Sequence, residues 1–216
     1  MPTTRDPLAS FLVLLFVLHA SLALVACDET SETVDAGGAV DAGSTDAGPP
    51  DAGPPPPFAL TSSAFVEGGT IPLRYECGPP VIADGPGENV TPPLAWTAGP
   101  AETMSYALVV RDIDAGGLVH WVVYDIPTTV FEIAEDVSAG FMLATPAGAK
   151  QAELQGSGYF GYLGPCSDAS INSYQFTLHA IGTATLPGVD RTTTETAAAA
   201  AVEVASIASA VLTGES

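Results

Sequence analysis

The stretch SYALVVRDIDAGGLVHWVVYDI, residues 105–126, decides the fold of this chain. It contains two runs rich in β-branched and aromatic residues, 105–111 and 118–126, separated by a cluster of Asp and Gly. This pattern predicts two strands joined by a turn. Further strands are predicted at 71–75 and 174–181 on the same grounds.

The last of these strands alternates apolar and polar side chains. The residues that would share its apolar face are Tyr174, Phe176, Leu178 and Ala180. Such alternation is typical of a half-buried antiparallel strand. We therefore predict a mainly β fold built from two packed antiparallel sheets.

The end of the chain has a helical composition instead. Thr192 with Glu195 resembles a capping box, and an alanine-rich run continues to Leu212 before Gly214. We predict one C-terminal helix over this run. The apolar residues expected to pack on the sheets are Val202, Ile207, Val211 and Leu212.

The first 57 residues are expected to lie outside the folded domain, which we place at 58–216. Residues 1–26 have the outline of a secretory signal peptide, with an apolar run too short for a comfortable membrane span. Residues 27–57 repeat Asp-Ala-Gly at 35, 41, 46 and 51 and end in prolines. This composition favours an extended, disordered tether over a calcium-binding loop, which needs a fixed spacing of carboxylates.

Cys27 closes the sequence Leu-Val-Ala-Cys, which looks like the bacterial lipobox. In that motif the cysteine is acylated and becomes the new N-terminus, so we expect a lipoprotein anchored to a membrane of the cell envelope, with its domain outside the cytoplasm. The alternative is an ordinary signal peptide with a chance cysteine. Asp28 favours retention at the inner membrane in some bacteria.

The formal net charge of −20 excludes one class of partner. The only basic residues after the leader are Arg74, Arg111, Lys150 and Arg191. Without a basic stripe the chain cannot neutralise a phosphate backbone, so nucleic acid is not an expected partner. Anionic membrane surfaces are disfavoured for the same reason.

Two cysteines, Cys77 and Cys166, remain if Cys27 is lipidated. In an exported protein a pair of this kind is commonly oxidised, and we predict a disulfide. The alternative makes Cys166 a catalytic thiol with His120 as its base, but no cysteine-protease signature surrounds it.

Asp112, Asp114 and His120 lie close in the predicted hairpin. If Asp112 faces His120 across the strand pair, its carboxylate can fix the imidazole tautomer or keep the ring protonated, and such a dyad can hold an anionic ligand. The alternative is a buried structural histidine beside Trp121. With His179 as the one other histidine after the leader, ligands for a metal are few, and no metal or cofactor is expected.

Four segments occur in an informative order: NVTPPLAW at 89–96, RDIDA at 111–115, HWVVYDIP at 120–127 and GYLGPC at 161–166, followed by Tyr174. Together they resemble the phosphatidylethanolamine-binding family, especially its bacterial branch of Raf-kinase-inhibitor-like proteins. The resemblance implies two packed antiparallel sheets with a C-terminal helix, and a small pocket for phosphate-like anions or phospholipid head groups. The residues that it places at this pocket are Asp112, His120, Gly164, Pro165, Asn172 and Tyr174.

The chain also departs from the pattern that it resembles. Ile113 and Gly116 replace prolines, and Asn172 stands where the family commonly has a second pocket histidine. Asn can still donate hydrogen bonds, so we expect anion binding with less charge assistance and a flatter pH response. Ser167 and Asp168 also replace prolines, and Asp168 would repel a phosphate.

Three functions follow as hypotheses. The leading one is a non-enzymatic module that binds a small anion or a phospholipid head group. The alternative is an inhibitor or regulator of an envelope enzyme such as a protease, which would act through surface loops. The third is a phosphoester hydrolase that uses His120 and Asp112, but no nucleophile or metal cluster accompanies them in the sequence.

Overall fold

The computed structural model of the chain describes residues 56–167 and 170–216. The elements in chain order are β1 (Leu60–Ser62), β2 (Gly69–Thr70), a 3₁₀ turn (Leu73–Tyr75), β3 (Leu94–Trp96), β4 (Ser105–Asp112), β5 (Leu118–Pro127), β6 (Glu132–Ile133), β7 (Lys150–Gln151), β8 (Ser173–Ile181), α1 (Glu195–Ala205) and β9 (Ser206–Glu215). Within these two ranges, no helix has the length and apolar character needed to cross a membrane. The predicted leader, the lipidation site and all of the tether except residues 56–57 lie outside the described residues.

The strands form two sheets. The larger sheet has the order β2-β9-β8-β4-β5-β7, and the smaller one has the order β1-β3-β6. Every strand pair is antiparallel except β2 with β9. The predicted mainly β architecture of two sheets with a helix near the C-terminus is therefore confirmed.

Apolar side chains pack on both faces of the larger sheet. One core lies between the two sheets and is built around Trp121, Tyr174 and Phe176. The other core lies beneath α1 and includes Val109 and Tyr124. The predicted alternation along β8 is confirmed, because its apolar face supplies the first core, with the residues Tyr174, Phe176, Leu178 and Ala180.

The predicted C-terminal helix is correct in its first half only. It ends at Ala205, and Ser206 turns the backbone into the extended conformation that begins β9. β9 pairs with β8 along its length, so hydrogen bonding to a neighbouring strand outweighs the helical composition of 206–212. Leu212 consequently lies in the core between the sheets, while Ile207 and Val211 are exposed.

The start of the helix also differs from the prediction. The N-cap is Thr194 rather than Thr192, and its hydroxyl accepts a long hydrogen bond of 3.5 Å from Ala197 N. Glu195 does not form a capping box. Its carboxylate is buried and accepts a hydrogen bond of 2.5 Å from the backbone N–H of Gln155.

The strand predicted at 71–75 is wrong, because β2 ends at Thr70. The N–H of Ile71 donates to Glu215 O at 2.7 Å and so extends the pairing of β2 with β9. Pro72 follows and has no N–H to continue the ladder, so the chain turns into the 3₁₀ helix at Leu73–Tyr75.

Candidate functional site

The candidate site lies where β4, β5 and β8 meet at one edge of the larger sheet. Asp112, the last residue of β4, is opposite Leu118 on β5 and opposite Tyr174 on β8. Directly opposed residues of an antiparallel pair project from the same face. The side chains of Asp112 and Tyr174 therefore share one face, and both are buried.

A β-bulge in β5 sets the position of His120. Val110 pairs with Trp121 and Arg111 pairs with Val119, so His120 is an extra residue without a register partner. A bulge of this kind re-aims the side chain at its centre and is common beside functional sites. The predicted pair of strands joined by a turn did not include this irregularity.

The loop that contains Leu163 holds the imidazole of His120. Nδ1 of His120 lies 3.0 Å from Leu163 O, and Leu163 N donates to His120 O at 3.0 Å. The ring also meets Tyr174 edge-on, with the centroids 5.2 Å apart. Because a carbonyl oxygen can only accept, Nδ1 carries a proton, and in the neutral ring Nε2 is the acceptor.

Nε2 of His120 is buried and has no hydrogen-bond partner among the described residues. The whole residue is only 2% exposed. Buried polar atoms are nearly always paired, so an unpaired one in a native structure calls for an explanation such as a bound molecule. Two other buried atoms share this property, Trp96 Nε1 and Tyr124 Oη, and neither belongs to the predicted pocket.

The carboxylate of Asp112 accepts three hydrogen bonds from neighbouring donors. Its Oδ1 accepts from the backbone N–H of Asp114 at 3.0 Å and of Ala115 at 2.9 Å. Its Oδ2 accepts from Asn172 Nδ2 at 2.8 Å. Asp112 therefore fastens the 113–115 turn to the start of β8.

The pKa values of Asp112 and His120 are both lowered, but for different reasons. Burial by itself would raise the pKa of Asp112, but the hydrogen bonds that it accepts, led by that from Asn172, hold this pKa below its ordinary value. Burial lowers the pKa of His120, and it outweighs the carbonyls of Leu163 and Gly164 and the charge of Asp112, which raise it. At neutral pH the site therefore combines a carboxylate with a neutral imidazole.

The hydroxyl of Tyr174 joins β8 to the end of the Gly-Pro loop, which we define as residues 162–166. It accepts from Cys166 N at 3.2 Å and lies 3.1 Å from Ser167 Oγ. Burial raises the pKa of Tyr174, with a smaller contribution of the same sign from the Asp112 charge. The phenol therefore stays protonated at neutral pH and acts as a neutral hydrogen-bonding group.

The Gly-Pro loop packs closely against the 75–77 segment. A Cβ added at Gly164 would collide with the backbone of Tyr75 and Glu76, so no other residue fits there without movement. The N–H of Cys77 donates to Pro165 O at 2.8 Å. Gly164 and Pro165 thus bring the loop backbone into contact with a distant part of the chain.

A disulfide connects the same two segments. Cys77 and Cys166 are bonded, with their Cα atoms 5.3 Å apart and 89 residues between them in sequence. The predicted disulfide is confirmed. The alternative role of Cys166 as a free catalytic thiol is excluded in this state because its sulfur is bonded.

Asn89 is a positioning residue that sequence reasoning missed. Its Nδ2 donates to Tyr162 O at 2.8 Å, and its Oδ1 accepts from Gly164 N at 2.8 Å. Its backbone has a φ of 54°, a left-handed conformation that Asn tolerates better than most residues. Asn89 is the first residue of the motif NVTPPLAW at 89–96, which indicated a resemblance to a family but did not predict a contact between Asn89 and the Gly-Pro loop.

The structure brings the sequence-predicted site residues into one network, with a correction to one role. Asp112 bonds Asn172, His120 packs on Tyr174, and the Gly-Pro loop contacts His120 and Tyr174. Asp112 does not fix the tautomer of His120 as predicted, because the Leu163 carbonyl occupies Nδ1. The predicted repulsion by Asp168 lies outside the described residues.

The remaining histidine has a structural environment. His179 is buried, and its Nδ1 lies 3.0 Å from Ser206 Oγ at the junction of α1 and β9. Among residues 56–167 and 170–216, no group of three His, Cys, Asp or Glu side chains is placed to hold a metal ion.

Comparisons with known proteins identify the family and support the fold. Residues 61–216 match the family model described as phosphatidylethanolamine-binding protein. A UPF0098 protein of Methanothermobacter thermautotrophicus is 38% identical over 126 residues, which are 57% of this chain and 76% of that protein. A UPF0098 protein of Aquifex aeolicus is 33% identical over 137 residues, which cover 60% of this chain and 73% of the relative.

Two solved structures are also similar. The Chlamydia trachomatis protein CT736, described as a homolog of phosphatidylethanolamine-binding protein, superposes with a TM-score of 0.59 and 29% identity, covering 74% of this chain and 96% of that one. Escherichia coli YbcL, described as a member of the mammalian PEBP family, gives a TM-score of 0.61 and 26% identity, covering 73% and 96%.

Proposed function

The chain belongs to the phosphatidylethanolamine-binding protein family, and from that premise we propose that it is a non-enzymatic module that binds a small phosphate-like anion or a phospholipid head group. The observation that carries the proposal is the buried Nε2 of His120, which has no hydrogen-bond partner within the part of the chain that the structure describes. The neighbouring polar groups, the Asp112 carboxylate and the Tyr174 hydroxyl, already have partners. Nε2 is therefore the atom of the network that a ligand would satisfy.

The chemistry of Nε2 suits an anion that brings or shares a proton. In the neutral ring Nε2 accepts a hydrogen bond, and after protonation it donates one to an anionic oxygen. A phosphate monoester has its second pKa near 6, so a proton can sit between its oxygen and Nε2. Whether the proton belongs to the imidazole or to the phosphate, one partner carries a charge, and such a hydrogen bond is stronger than one between neutral groups.

Binding fits the network better than hydrolysis. Nε2 of His120 keeps the lone pair that a general base needs, but covalent hydrolysis also needs a nucleophile, and the Asp112 oxygens already accept three hydrogen bonds from the protein. The disulfide occupies the sulfur of Cys166, and the Tyr174 phenol remains protonated because burial raises its pKa. A phosphoester hydrolase would require a nucleophile beyond these groups.

The proposal extends to the way the module is displayed. Acylation of Cys27 anchors the domain to a membrane of the cell envelope, and residues 28–57 carry it as a tether outside the cytoplasm. The lipobox-like sequence supports this assignment. Mass spectrometry should find a lipid-sized mass gain on the N-terminal peptide, together with globomycin-sensitive processing, and both should disappear in Cys27→Ser.

Calorimetric titration tests the binding function. Phosphoethanolamine and inorganic phosphate serve as probes, and two histidine variants are compared with the wild type. His120→Gln removes the imidazole but can still donate to Leu163 O, whereas His179→Gln changes a buried histidine outside the network. We expect saturable binding that His120→Gln weakens at least tenfold and His179→Gln leaves unchanged.

Other outcomes would favour the other functions. No saturable binding, or equal losses in both variants, would refute the proposal. Release of phosphate from a phosphoester that stops in His120→Gln would indicate a hydrolase. Inhibition of an envelope protease that survives His120→Gln would indicate action through surface loops.

A further inference from the structure

We propose that the Cys77–Cys166 disulfide controls the candidate pocket, so that its reduction by a dithiol weakens ligand binding while the domain stays folded. This inference rests on the proposed binding function for its ligand readout. The structural basis of the inference does not depend on ligand binding. The disulfide fastens the Gly-Pro loop, and this loop contacts both His120 and Tyr174.

The disulfide lies at the end of a short path to the pocket. Cys166 donates its backbone N–H to the Tyr174 hydroxyl at 3.2 Å. Three residues earlier, Leu163 O lies 3.0 Å from Nδ1 of His120. A displacement at 165–167 would therefore act on the Tyr174 hydroxyl directly and on His120 through its edge-on contact with the Tyr174 ring.

Solvent exposure differs between the two cysteine residues. Cys77 is 2% exposed, whereas Cys166 is an exposed residue. Thiol–disulfide exchange requires a thiolate to reach one of the sulfurs, so attack is directed to Cys166. Exposed disulfides are also more often the labile or regulatory ones.

Reduction proceeds through a mixed disulfide between Cys166 and the reductant. A thiolate of a dithiol reductant attacks Sγ of Cys166, the Cys77–Cys166 bond breaks, and Cys77 leaves as a thiolate. The second thiol of the reductant then displaces Cys166 and closes the reductant's own disulfide. Two electrons pass to the protein, and two protons end on the thiols of Cys77 and Cys166.

The remaining contacts limit the change to the loop. After reduction, Asn89 still bonds Tyr162 and Gly164, and Cys77 N still donates to Pro165 O. The two cores contain neither cysteine. The reduced domain should therefore remain folded, with greater freedom at 165–167, where the loop meets Tyr174.

The test uses the full chain with the substitution Cys27→Ser. Cys77 and Cys166 are then the only cysteines in the sequence. Oxidised and dithiothreitol-reduced protein are titrated with phosphoethanolamine, and ring NMR signals of His120 are recorded without ligand. A Cys77→Ala/Cys166→Ser variant serves as a matched control. We expect at least tenfold weaker binding and shifted His120 signals after reduction, unchanged far-UV circular dichroism, and a control that resembles the reduced protein and ignores dithiothreitol.

Each result decides between the two proposals. If the oxidised chain binds no probe but its His120 signals move on reduction, the binding function fails and the redox control of the pocket stands. If the reduced, folded chain keeps its affinity and its His120 signals, the disulfide is only structural and the inference is overturned. Global unfolding on reduction would also overturn it, because the bond would then support the whole domain.

Discussion

Nδ1 of His120 and the carbonyl oxygen of Leu163 are 3.0 Å apart, although the two residues are 43 positions apart in sequence. This contact determines the imidazole tautomer and leaves Nε2 buried, with no hydrogen-bond partner among the described residues. The backbone of Leu163 also donates to the backbone of His120, so the loop and the bulged strand are held at two points.

Ligand binding should take up one proton near neutral pH. Burial holds the pKa of the free His120 below its ordinary value of 6.5, so the ring is neutral at pH 7. An anion at Nε2 favours the protonated ring and raises its pKa, so affinity for inorganic phosphate or phosphoethanolamine should rise as pH falls from 7 toward the pKa of the free ring. Titration calorimetry in buffers with different ionisation enthalpies measures the proton count.

His120→Gln should abolish the proton uptake that accompanies ligand binding and arises from the imidazole of His120, whereas His179→Gln should not. Because Asn172 stands where the family commonly has a second histidine, the protein itself should take up no more than one proton when the ligand binds. If both variants retain the proton uptake, the titrating group is on the ligand or on another residue of the chain.

The same histidine should make the unfolding free energy depend on pH. The folded-state pKa of His120 is lowered by burial, and burial also lowers that of His179. Their stabilising contribution is present above the unfolded-state pKa, near 6.5, and is lost as pH falls through the folded-state values, because the unfolded chain then binds more protons.

Urea unfolding between pH 7.5 and 5 should therefore show a falling midpoint in the wild type. Each single His→Gln variant should have a flatter profile, and the double variant should be flatter still. A midpoint that falls equally in the double variant would assign the pH dependence to other groups.

Replacing Asn89 should disturb the Gly-Pro loop more than the sheets. Asn89→Gly accommodates the φ of 54° but loses both loop hydrogen bonds, so we expect a loss of about 1–3 kcal/mol in unfolding free energy. Asn89→Ala should lose more, because its Cβ disfavours the left-handed backbone. NMR of the His120 ring should shift in both variants.

A change in stability without any change at His120 would show that Asn89 does not position the pocket. The comparison of Gly with Ala separates backbone strain from the lost hydrogen bonds, since both variants lack the amide.

Gly164→Ala should be strongly destabilising because the added methyl group meets backbone rather than a flexible side chain. The atoms that it would strike belong to Tyr75 and Glu76. We expect a loss of at least about 1–3 kcal/mol, as for overpacked cores. Gly182→Ala is a suitable control, because the nearest atom to its added Cβ is a side-chain methyl of Ile207 at 3.4 Å.

Thermal and urea unfolding of the two alanine variants measure this difference. Equal stabilities would mean that the 75–77 segment yields easily, and the tight contact of Gly164 with it would then have little influence on the pocket.

The candidate site could be predicted from sequence as a set of residues but not as a geometry. Asp112, His120, Asn172 and Tyr174 were placed together by their motifs, and the structure joins them in one network. Asn89 was missed as a contact because its two bonds cross more than 70 residues of sequence. A span of that length leaves no local periodicity to detect.

The sequence by itself determined the features that depend on local pattern or on simple counting. Alternation along 174–181 specified the buried face of β8, and the availability of only Cys77 and Cys166 in the predicted domain specified the disulfide. Only the tertiary structure decided that β5 bulges at His120, that Leu163 sets the tautomer, and that 206–215 forms a strand despite its helical composition. The physical reason is that these features depend on hydrogen bonds to distant partners, whose free energy outweighs the propensity of the local chain.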